Sequence, residues 1–276
     1  MATAPVNGID IYYEEHGSGE PLLLIMGLAA DINGWLFQVP EFSKHHRTIV
    51  FDNRGVGRSS KPAGPYTIQM MADDAAGLLD HLGIERAHVA GISMGGMISQ
   101  ELALRHPHKV AKLVLGCTYA FPDDSVAALR NTLVGQLGGA VGGDGSLQID
   151  PSKIDPMQLF GALLPLSFSP SFLQNELPKL MQVFAGALQY GFSMEGVLAQ
   201  VMATSSHNTL ERLAQIQAPT LVLTGDCDQL IPAACSDVLA EKIPGAKLRK
   251  LEGGSHGFNF EVPEQFNRAV LDFLAG

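Results

Sequence analysis

Short, continuous apolar runs alternate along the chain with segments of helical spacing, and this alternation constrains the fold more than any other feature. The runs occupy residues 22–26, 48–51, 88–92, 112–115 and 220–224. The helical segments occupy residues 68–82, 94–105, 233–242 and 264–274. Such runs, bounded by turn residues, are typical of strands buried on both faces of a parallel sheet. The chain is therefore predicted to adopt an α/β fold with a mainly parallel twisted sheet flanked by helices, opened by a hairpin at Asn7-Gly8.

The alternation stops between residues 121 and 208, where Met, Phe, Leu and Pro dominate and strand-like runs are absent. We expect a helical cap, or lid, inserted there into a core domain formed by residues 1–120 and 209–276. Six glycines crowd one stretch of this cap: Gly135, Gly138, Gly139, Gly142, Gly143 and Gly145. Each glycine costs a helix about 1 kcal/mol, so the stretch is predicted to be a mobile loop. A phosphate loop is the alternative, but no Gly-Lys-Ser/Thr sequence closes it and no strand precedes it.

Charge and cysteine content exclude several classes of partner. The formal net charge of −10 repels phosphate backbones and anionic membranes, so we expect neither a nucleic acid nor a membrane partner. The longest apolar run, residues 21–30, is shorter than the about 20 residues that span a bilayer. The three cysteines lack metal-ligand spacing, and residues 1–10 have no basic start or apolar h-region. These features predict a cytoplasmic protein without metal or cofactor; a homodimer is left open.

The sequence Gly-Ile-Ser-Met-Gly at positions 91–95 lies directly after one predicted strand and directly before a predicted helix. A sharp turn between them forces strained backbone angles on the central serine, and the flanking glycines avoid clashes. The hydroxyl is then held clear of the sheet at a helix N-terminus. Ser93 is therefore the predicted nucleophile, with a plain structural turn as the alternative.

A serine nucleophile needs an adjacent histidine base, which a carboxylate orients. His256 is the candidate among nine histidines, because its glycine-rich loop lies between the apolar run 246–251 and the last helical segment. A surface histidine with other partners is the alternative. Two aspartates, Asp226 and Asp228, follow the predicted strand 220–224. Asp226 could instead accept backbone hydrogen bonds that shape the turn, and spacing alone leaves both open with Asp228 preferred.

Acyl transfer also needs hydrogen-bond donors for the oxygen that becomes negatively charged. One donor is the backbone amide that follows the nucleophile, which is that of Met94. The second comes from the loop after an early central strand, and the amide of Leu28 occupies that position. A simple strand end at Met26-Gly27 is the alternative.

These motifs resemble the α/β-hydrolase superfamily, and the resemblance covers nearly the whole chain. The family pattern Gly-x-x-Asp-x-x-x-Pro, which carries the triad acid, is matched at residues 225–232 and selects Asp228. The order Ser93, Asp228, His256 is also that of the family. Residues 52–59, Asp-Asn-Arg-Gly-Val-Gly-Arg-Ser, are similar to a family loop with a structural role. The chain departs from the pattern at Met26, where the family commonly has a histidine whose hydrogen bonds are missing here.

Within the superfamily the chain is similar to small bacterial esterases, enol-lactonases and cofactor-free haloperoxidases. A serine at position 93 argues against dehalogenases and epoxide hydrolases, which use a carboxylate nucleophile. From Asn131 to Glu211 the only lysines or arginines are Lys153 and Lys179, which disfavours anionic substrates. The resemblance therefore implies a carboxylesterase that cleaves neutral short-to-medium acyl or aryl esters by a Ser-His-Asp acyl-enzyme mechanism.

Other activities are compatible with the same motifs. A lactonase and a carbon–carbon bond hydrolase share the fold, and a hydrolase-fold ligand receptor with little turnover is an alternative from another class. Turnover of a chromogenic ester distinguishes the receptor from the enzymes. The candidate pocket residues come from the cap and could each instead pack the cap against the core; they are Phe160, Leu163, Leu164, Phe168 and Met194.

Overall fold

One mainly parallel sheet forms the centre of the computed structural model, which describes residues 2–142 and 146–276. The strands of the described residues are β1 (Ala2–Val6), β2 (Ile9–His16), β3 (Pro21–Ile25), β4 (Arg47–Phe51), β5 (Ala87–Ile92), β6 (Val110–Gly116), β7 (Ala140–Val141), β8 (Leu147–Gln148), β9 (Thr220–Gly225) and β10 (Lys247–Leu251). Eight of them join the sheet in the order β1-β2-β4-β3-β5-β6-β9-β10. Strand β2 pairs antiparallel with β1 and β4, and the other pairs are parallel. The predicted α/β fold and its opening hairpin are confirmed.

Helices cover the sheet and connect its parallel strands. They are α1 (Val39–Phe42), α2 (Ile68–His81), α3 (Met94–Arg105), α4 (Asp124–Gln136), α5 (Pro156–Ser167), α6 (Pro170–Gln189), α7 (Met194–Ser205), α8 (Ala233–Lys242), α9 (Phe258–Glu261) and α10 (Pro263–Ala275). Short 3-10 helices lie at Ile32–Trp35, Pro107–Lys109, Pro151–Lys153 and Leu210–Gln215. The five apolar runs and the four helical segments predicted from the sequence coincide with strands and helices within two residues. Within the described ranges, no helix is both long and apolar enough to cross a bilayer.

The apolar runs are continuous because both faces of the sheet are buried. Successive residues of a strand point to opposite faces. Leu23 of β3 therefore packs in the cluster that includes α2 and α3. Leu22 packs in the opposite cluster with Trp35, Phe258 and Phe266. Burial on both faces leaves no solvent side on which polar residues would alternate with apolar ones.

The predicted cap interval, residues 121–208, contains the four helices α4 to α7. Helices α5 and α7 begin at favourable capping residues: the Asp155 side chain accepts from the amide of Met157, and the Ser193 side chain accepts from the amide of Gly196. One expectation was wrong, because β7 and β8 form a two-residue antiparallel pair where the sequence shows no strand-like run. Pairing between two short segments needs no long β-type pattern, so the sequence carries little signal for it.

Helix α4 ends at Gln136 and so includes Gly135, the first of the six glycines, which was expected to lie in the loop. Gly138 adopts a φ of +77°, a conformation that favours glycine after a helix end. Gly143 and Gly145 lie outside the described residues. The mobility of this loop and the boundaries of the cap stay predictions.

Candidate active site

Ser93 occupies the sharp turn between β5 and α3, as predicted. Its φ of +55° and ψ of −124° lie outside the regions that side chains ordinarily adopt. The glycines around it are required by close approach: a Cβ on Gly95 would lie 2.0 Å from the carbonyl oxygen of Ile25. A Cβ on Gly91 would lie 2.2 Å from the carbonyl oxygen of Gly95. The turn therefore projects the Ser93 hydroxyl from the carboxyl end of the central strand.

A chain of hydrogen bonds joins the three predicted site residues. His256 Nε2 lies 3.0 Å from Ser93 Oγ, and His256 Nδ1 lies 2.9 Å from Asp228 Oδ2. An ionised carboxylate only accepts hydrogen bonds, so Nδ1 carries the proton and Nε2 is left as the acceptor facing the serine. The other oxygen, Asp228 Oδ1, accepts from the amides of Leu230 at 2.9 Å and Ile231 at 2.8 Å. His256 Nε2 can therefore take a proton from Ser93, and the buried Asp228 carboxylate lies beside the imidazolium that results.

The structure separates the two aspartates that spacing left open. Asp228 is buried and contacts His256, whereas Asp226 is exposed. Asp226 Oδ1 accepts a hydrogen bond from the amide of Gly253 at 2.9 Å and so ties β9 to the loop after β10. That contact is the turn-shaping alternative considered for Asp226.

Cys117 lies beside the hydrogen-bond chain of Ser93, His256 and Asp228, and the sequence did not predict it there. It follows β6 at the same edge of the sheet as Ser93, with a φ of +38°, and its Sγ lies within 4.8 Å of ligand atoms of Asp228 and His256. Burial alone would lower the pKa of His256, but the charges and hydrogen bonds of Cys117 and Asp228 raise that pKa well above 6.5. The sequence signal that could have identified Cys117 is its position after a predicted strand, because side chains at the carboxyl ends of parallel strands meet at one edge of the sheet. Among the described residues, the ligand atoms of Cys117, Asp228 and His256 lie close enough together to bind a metal ion. That the activity needs no metal stays a prediction.

The two predicted oxyanion donors lie on either side of Ser93. Met94 is the first residue of α3, so its amide has no carbonyl one turn earlier to bind. The Leu28 loop packs against the serine: a Cβ on Gly27 would lie 3.1 Å from the Cβ of Ser93. Among the described residues, no hydrogen bond uses the Leu28 amide. Both amides are therefore available to a substrate oxygen.

Other side chains hold the Leu28 loop in place of the missing imidazole. Asn53 Nδ2 donates to the carbonyl oxygen of Met26 at 2.9 Å. Asp52 Oδ1 accepts from the amide of Ile32 at 2.9 Å, and Asp52 Oδ2 accepts from the amide of Arg58 at 2.7 Å. Burial raises the pKa of Asp52 to about 6, although these backbone hydrogen bonds oppose the shift. The Asp52–Ser59 segment thus supports the loop, which agrees with the structural role that the resemblance implied.

The loop that carries His256 is held by the C-terminal end of α5. The carbonyl oxygen of Ser167 accepts from the amide of Gly257 at 2.7 Å and from the Ser255 hydroxyl at 3.1 Å. The Phe168 ring leaves no room for a side chain at Gly257, because a Cβ there would lie 2.2 Å from the ring. The cap interval therefore forms one wall of the histidine loop.

Two apolar cavities meet at Ser93 and contain the predicted pocket residues. The larger, of about 260 Å³, contains His256 and is lined by Phe160, Leu163, Leu164 and Phe168. The smaller, of about 140 Å³, contains Met94 and is lined by Leu163 and Met194. We call them the histidine-side chamber and the helix-side chamber. All five predicted residues thus lie on the cavity walls, and the roles assigned to them stay predictions.

Arg130 lines the helix-side chamber and directly precedes the segment 131–211, whose two lysines were the only cations expected near the pocket. Its guanidinium donates to Asn131 Oδ1 from Nη2 at 2.9 Å and from Nε at 3.2 Å. None of the ion pairs among the described residues includes Arg130. It is the one lysine or arginine among the described residues that line the two chambers.

Comparison with known proteins places this geometry in a family. The family model described as the alpha/beta hydrolase fold matches residues 20–263. A curated relative from Azorhizobium caulinodans, named "Putative carbamate hydrolase RutD", is 32% identical over 267 residues, covering 96% of this chain and 94% of the relative. A hydrolase from Pseudomonas aeruginosa PA01 is similar in structure, with a TM-score of 0.86 and 29% identity over 100% of this chain and 98% of that one. The enol-lactonase from Burkholderia xenovorans LB400 has a TM-score of 0.85 and 29% identity over 100% of both chains. The chain therefore belongs to the α/β-hydrolase family and is a hydrolase.

Proposed function

We propose that this hydrolase is a carboxylesterase that cleaves uncharged esters through an acyl-enzyme at Ser93. The observation that carries the proposal is the hydrogen-bond chain Ser93–His256–Asp228, which opens onto two apolar chambers. A base already hydrogen-bonded to a serine hydroxyl is the arrangement that activates this otherwise weak nucleophile.

The proposed reaction has two steps that share one set of groups. Ser93 Oγ attacks the ester carbonyl carbon while its proton passes to His256 Nε2, and the carbonyl oxygen becomes negatively charged between the amides of Leu28 and Met94. Collapse of this intermediate breaks the bond to the alcohol oxygen, which takes the proton from His256. A water molecule then repeats the sequence on the acyl-enzyme and releases the carboxylic acid. Asp228 holds the neutral imidazole in the required tautomer and stabilises the imidazolium that forms in each step.

The position of His256 assigns the two chambers to the two halves of the ester. The leaving alcohol oxygen must approach Nε2 to receive its proton, so the alcohol half belongs in the histidine-side chamber. The acyl half stays on Ser93 and extends into the helix-side chamber. The cavity volumes of about 260 Å³ and 140 Å³ then favour a bulky apolar or aryl alcohol and a short-to-medium acyl chain.

A panel of chromogenic and natural esters tests the assignment. We expect turnover to rise with acyl length and then fall once the acyl chain fills the smaller chamber, whereas larger aryl alcohols are tolerated. Carbamates and lactones belong in the panel, because relatives carry those names. If the protein prefers a carbamate or a lactone over every matched ester, the carboxylesterase proposal is contradicted. If it turns over none of the compounds in the panel, the receptor alternative is favoured.

A matched pair of variants tests which chamber holds which half. Leu133 lines the helix-side chamber alone, and Leu164 lines the histidine-side chamber alone. Leu133→Trp is expected to shorten the preferred acyl chain without changing the alcohol preference. Leu164→Trp is expected to do the reverse. If both variants change the same half of the substrate, the chamber assignment is wrong.

Arg130 favours a second candidate, an esterase or lactonase whose substrate carries a carboxylate on the acyl side. An arginine without an ion-pair partner among the described residues can bind a carboxylate through two parallel hydrogen bonds. The test compares a monoester of a dicarboxylic acid with the ester of equal length that ends in a methyl group. If Arg130→Gln weakens turnover of the acid by tenfold or more and leaves the methyl ester unchanged, this second candidate replaces the neutral ester.

A further inference from the structure

Gln200 of α7 connects the cap interval to the loop that carries Leu28. Its side chain is completely buried, with 0% exposure. Oε1 accepts a hydrogen bond from the amide of Ala29 at 2.9 Å, and Nε2 donates to the carbonyl oxygen of Arg54 at 2.9 Å. One carboxamide therefore bridges the Leu28 loop and the Asp52–Ser59 segment, and both of its polar atoms have partners.

The residue that Gln200 holds is strained. Ala29 has a φ of +60°, a left-handed conformation that costs a residue with a side chain about 1 kcal/mol or more. Such a conformation persists only where the surroundings fix it, and the hydrogen bond from the Ala29 amide does so. The preceding peptides are fixed from the other side, because Asn53 binds the carbonyl oxygen of Met26. The Leu28 amide thus lies between two points that are held by side chains.

The contact between α7 and the core is close enough to transmit this constraint. A Cβ on Gly196 would lie 2.3 Å from the carbonyl oxygen of Gly55, so the two backbones touch directly. Gln200 is one turn further along the same helix. The position of Gln200 Oε1 is therefore set by the seating of α7 on the core.

We infer that Gln200 is a positioning residue that aims the Leu28 amide at the developing oxyanion, so that the oxyanion hole is complete only when α7 is seated. The inference rests on the proposed function, because it concerns the same acyl-transfer site. Gln200 thus acts on the transition state only through the Leu28 amide and makes no contact with the substrate. In this chain a cap glutamine takes over part of the task that an imidazole at position 26 performs in the family.

The test compares a trifluoromethyl ketone with the matching methyl ketone, which differ chiefly in the electrophilicity of the carbonyl carbon. An aryl trifluoromethyl ketone adds Ser93 Oγ to its carbonyl carbon, passes the serine proton to His256 and places a negative oxygen in the oxyanion hole. The corresponding methyl ketone fills the same chambers without forming this adduct. Gln200→Met keeps the side-chain volume and removes both hydrogen bonds. Gln158→Met is the matched control, because Gln158 is an exposed cap residue whose side chain, within the described part of the chain, bonds only the Gln136 carbonyl.

We expect Gln200→Met to lower both kcat and the affinity for the trifluoromethyl ketone by about 10- to 100-fold. Misplacing a reacting group by about 1 Å can lower a reaction rate 100-fold. KM and the affinity for the methyl ketone should change by less than threefold, and Gln158→Met should leave all four quantities unchanged. Gln200→Glu provides a second variant, because a neutral carboxyl group can accept from Ala29 and donate to Arg54. It should lose less affinity for the trifluoromethyl ketone than Gln200→Met does.

If Gln200→Met lowers the affinity for both ketones equally, or for neither, the inference is overturned and Gln200 has only a packing role. The proposed function has its own readout, because failure of the wild-type protein to bind the trifluoromethyl ketone through Ser93 contradicts the acyl-enzyme mechanism itself. The two failures are therefore distinguishable.

Discussion

Replacing Asp228 by Asn changes one oxygen to nitrogen and tests the least obvious step of the proposed mechanism. The new amide has one acceptor and one donor group. Its oxygen is required by the amides of Leu230 and Ile231, which both donate to Asp228 Oδ1. The NH₂ group must then face His256 Nδ1, which becomes an acceptor. The imidazole proton moves to Nε2, and Ser93 loses its base.

The magnitude follows from the cost of restoring the correct tautomer. Turning the amide round gives up two backbone hydrogen bonds, each worth about 0.5–1.5 kcal/mol. A difference of about 1–3 kcal/mol makes the competent arrangement about 5- to 150-fold rarer. The imidazolium also loses its adjacent negative charge, so we expect kcat to fall by about 10²–10⁴-fold, in the range of the same change in serine proteases.

The assay is the initial rate of a 4-nitrophenyl ester, with Asp226→Asn as the matched control. The amide created at position 226 can still accept from Gly253, so turnover should change by no more than a few-fold. Melting temperatures of both variants guard against a partly unfolded sample. If Asp226→Asn costs more than Asp228→Asn in two equally folded proteins, the acid must be reassigned to Asp226.

Four further predictions concern the same site. Ser93→Ala should lower ester turnover by at least about 10³-fold with an unchanged melting temperature, and an organophosphate should label Ser93 in the wild type as located by mass spectrometry. The raised pKa of His256 places the acid limb of kcat/KM above pH 6.5, because protonated His256 cannot accept the serine proton, and Asp228→Asn should move this limb to lower pH. The same raised pKa contributes stability that is complete below pH 6.5 and is lost as the pH rises through the folded-state pKa. Dialysis against EDTA should leave activity unchanged, and loss of activity that added zinc restores would contradict this.

The parts of the molecule that the sequence predicted are those governed by local pattern. Continuous apolar runs and helical spacing are properties of consecutive residues, so they suffice to place β5 and α3 on either side of Ser93. The same holds for His256, which lies in a loop after a predicted strand. The choice of Asp228 over Asp226 came from the family pattern. Asp228 contacts His256 in the structure, and its role as the triad acid stays a prediction.

Features that depend on distant residues could not be read from the sequence. Gln200 and Ala29 are 171 positions apart, and no local pattern marks a glutamine that will be buried. Cys117 was judged by its spacing from other cysteines, although its importance lies in the strand end that it occupies. The division of the cavity at Ser93 depends on how α4, α5 and α7 pack, which the apolar composition of the cap does not specify.

The carbonyl oxygen of Ser167, which accepts from both Gly257 and Ser255, has a consequence for engineering this enzyme. Lids in modular proteins can be exchanged because the machinery beneath them is complete without them. Here the Gly257 amide and the Ser255 hydroxyl, on either side of His256, both donate to the last residue of α5, so a transplanted lid would leave the base misaligned. Substrate range in this chain is therefore better changed by single side-chain replacements on the chamber walls than by exchange of the whole segment.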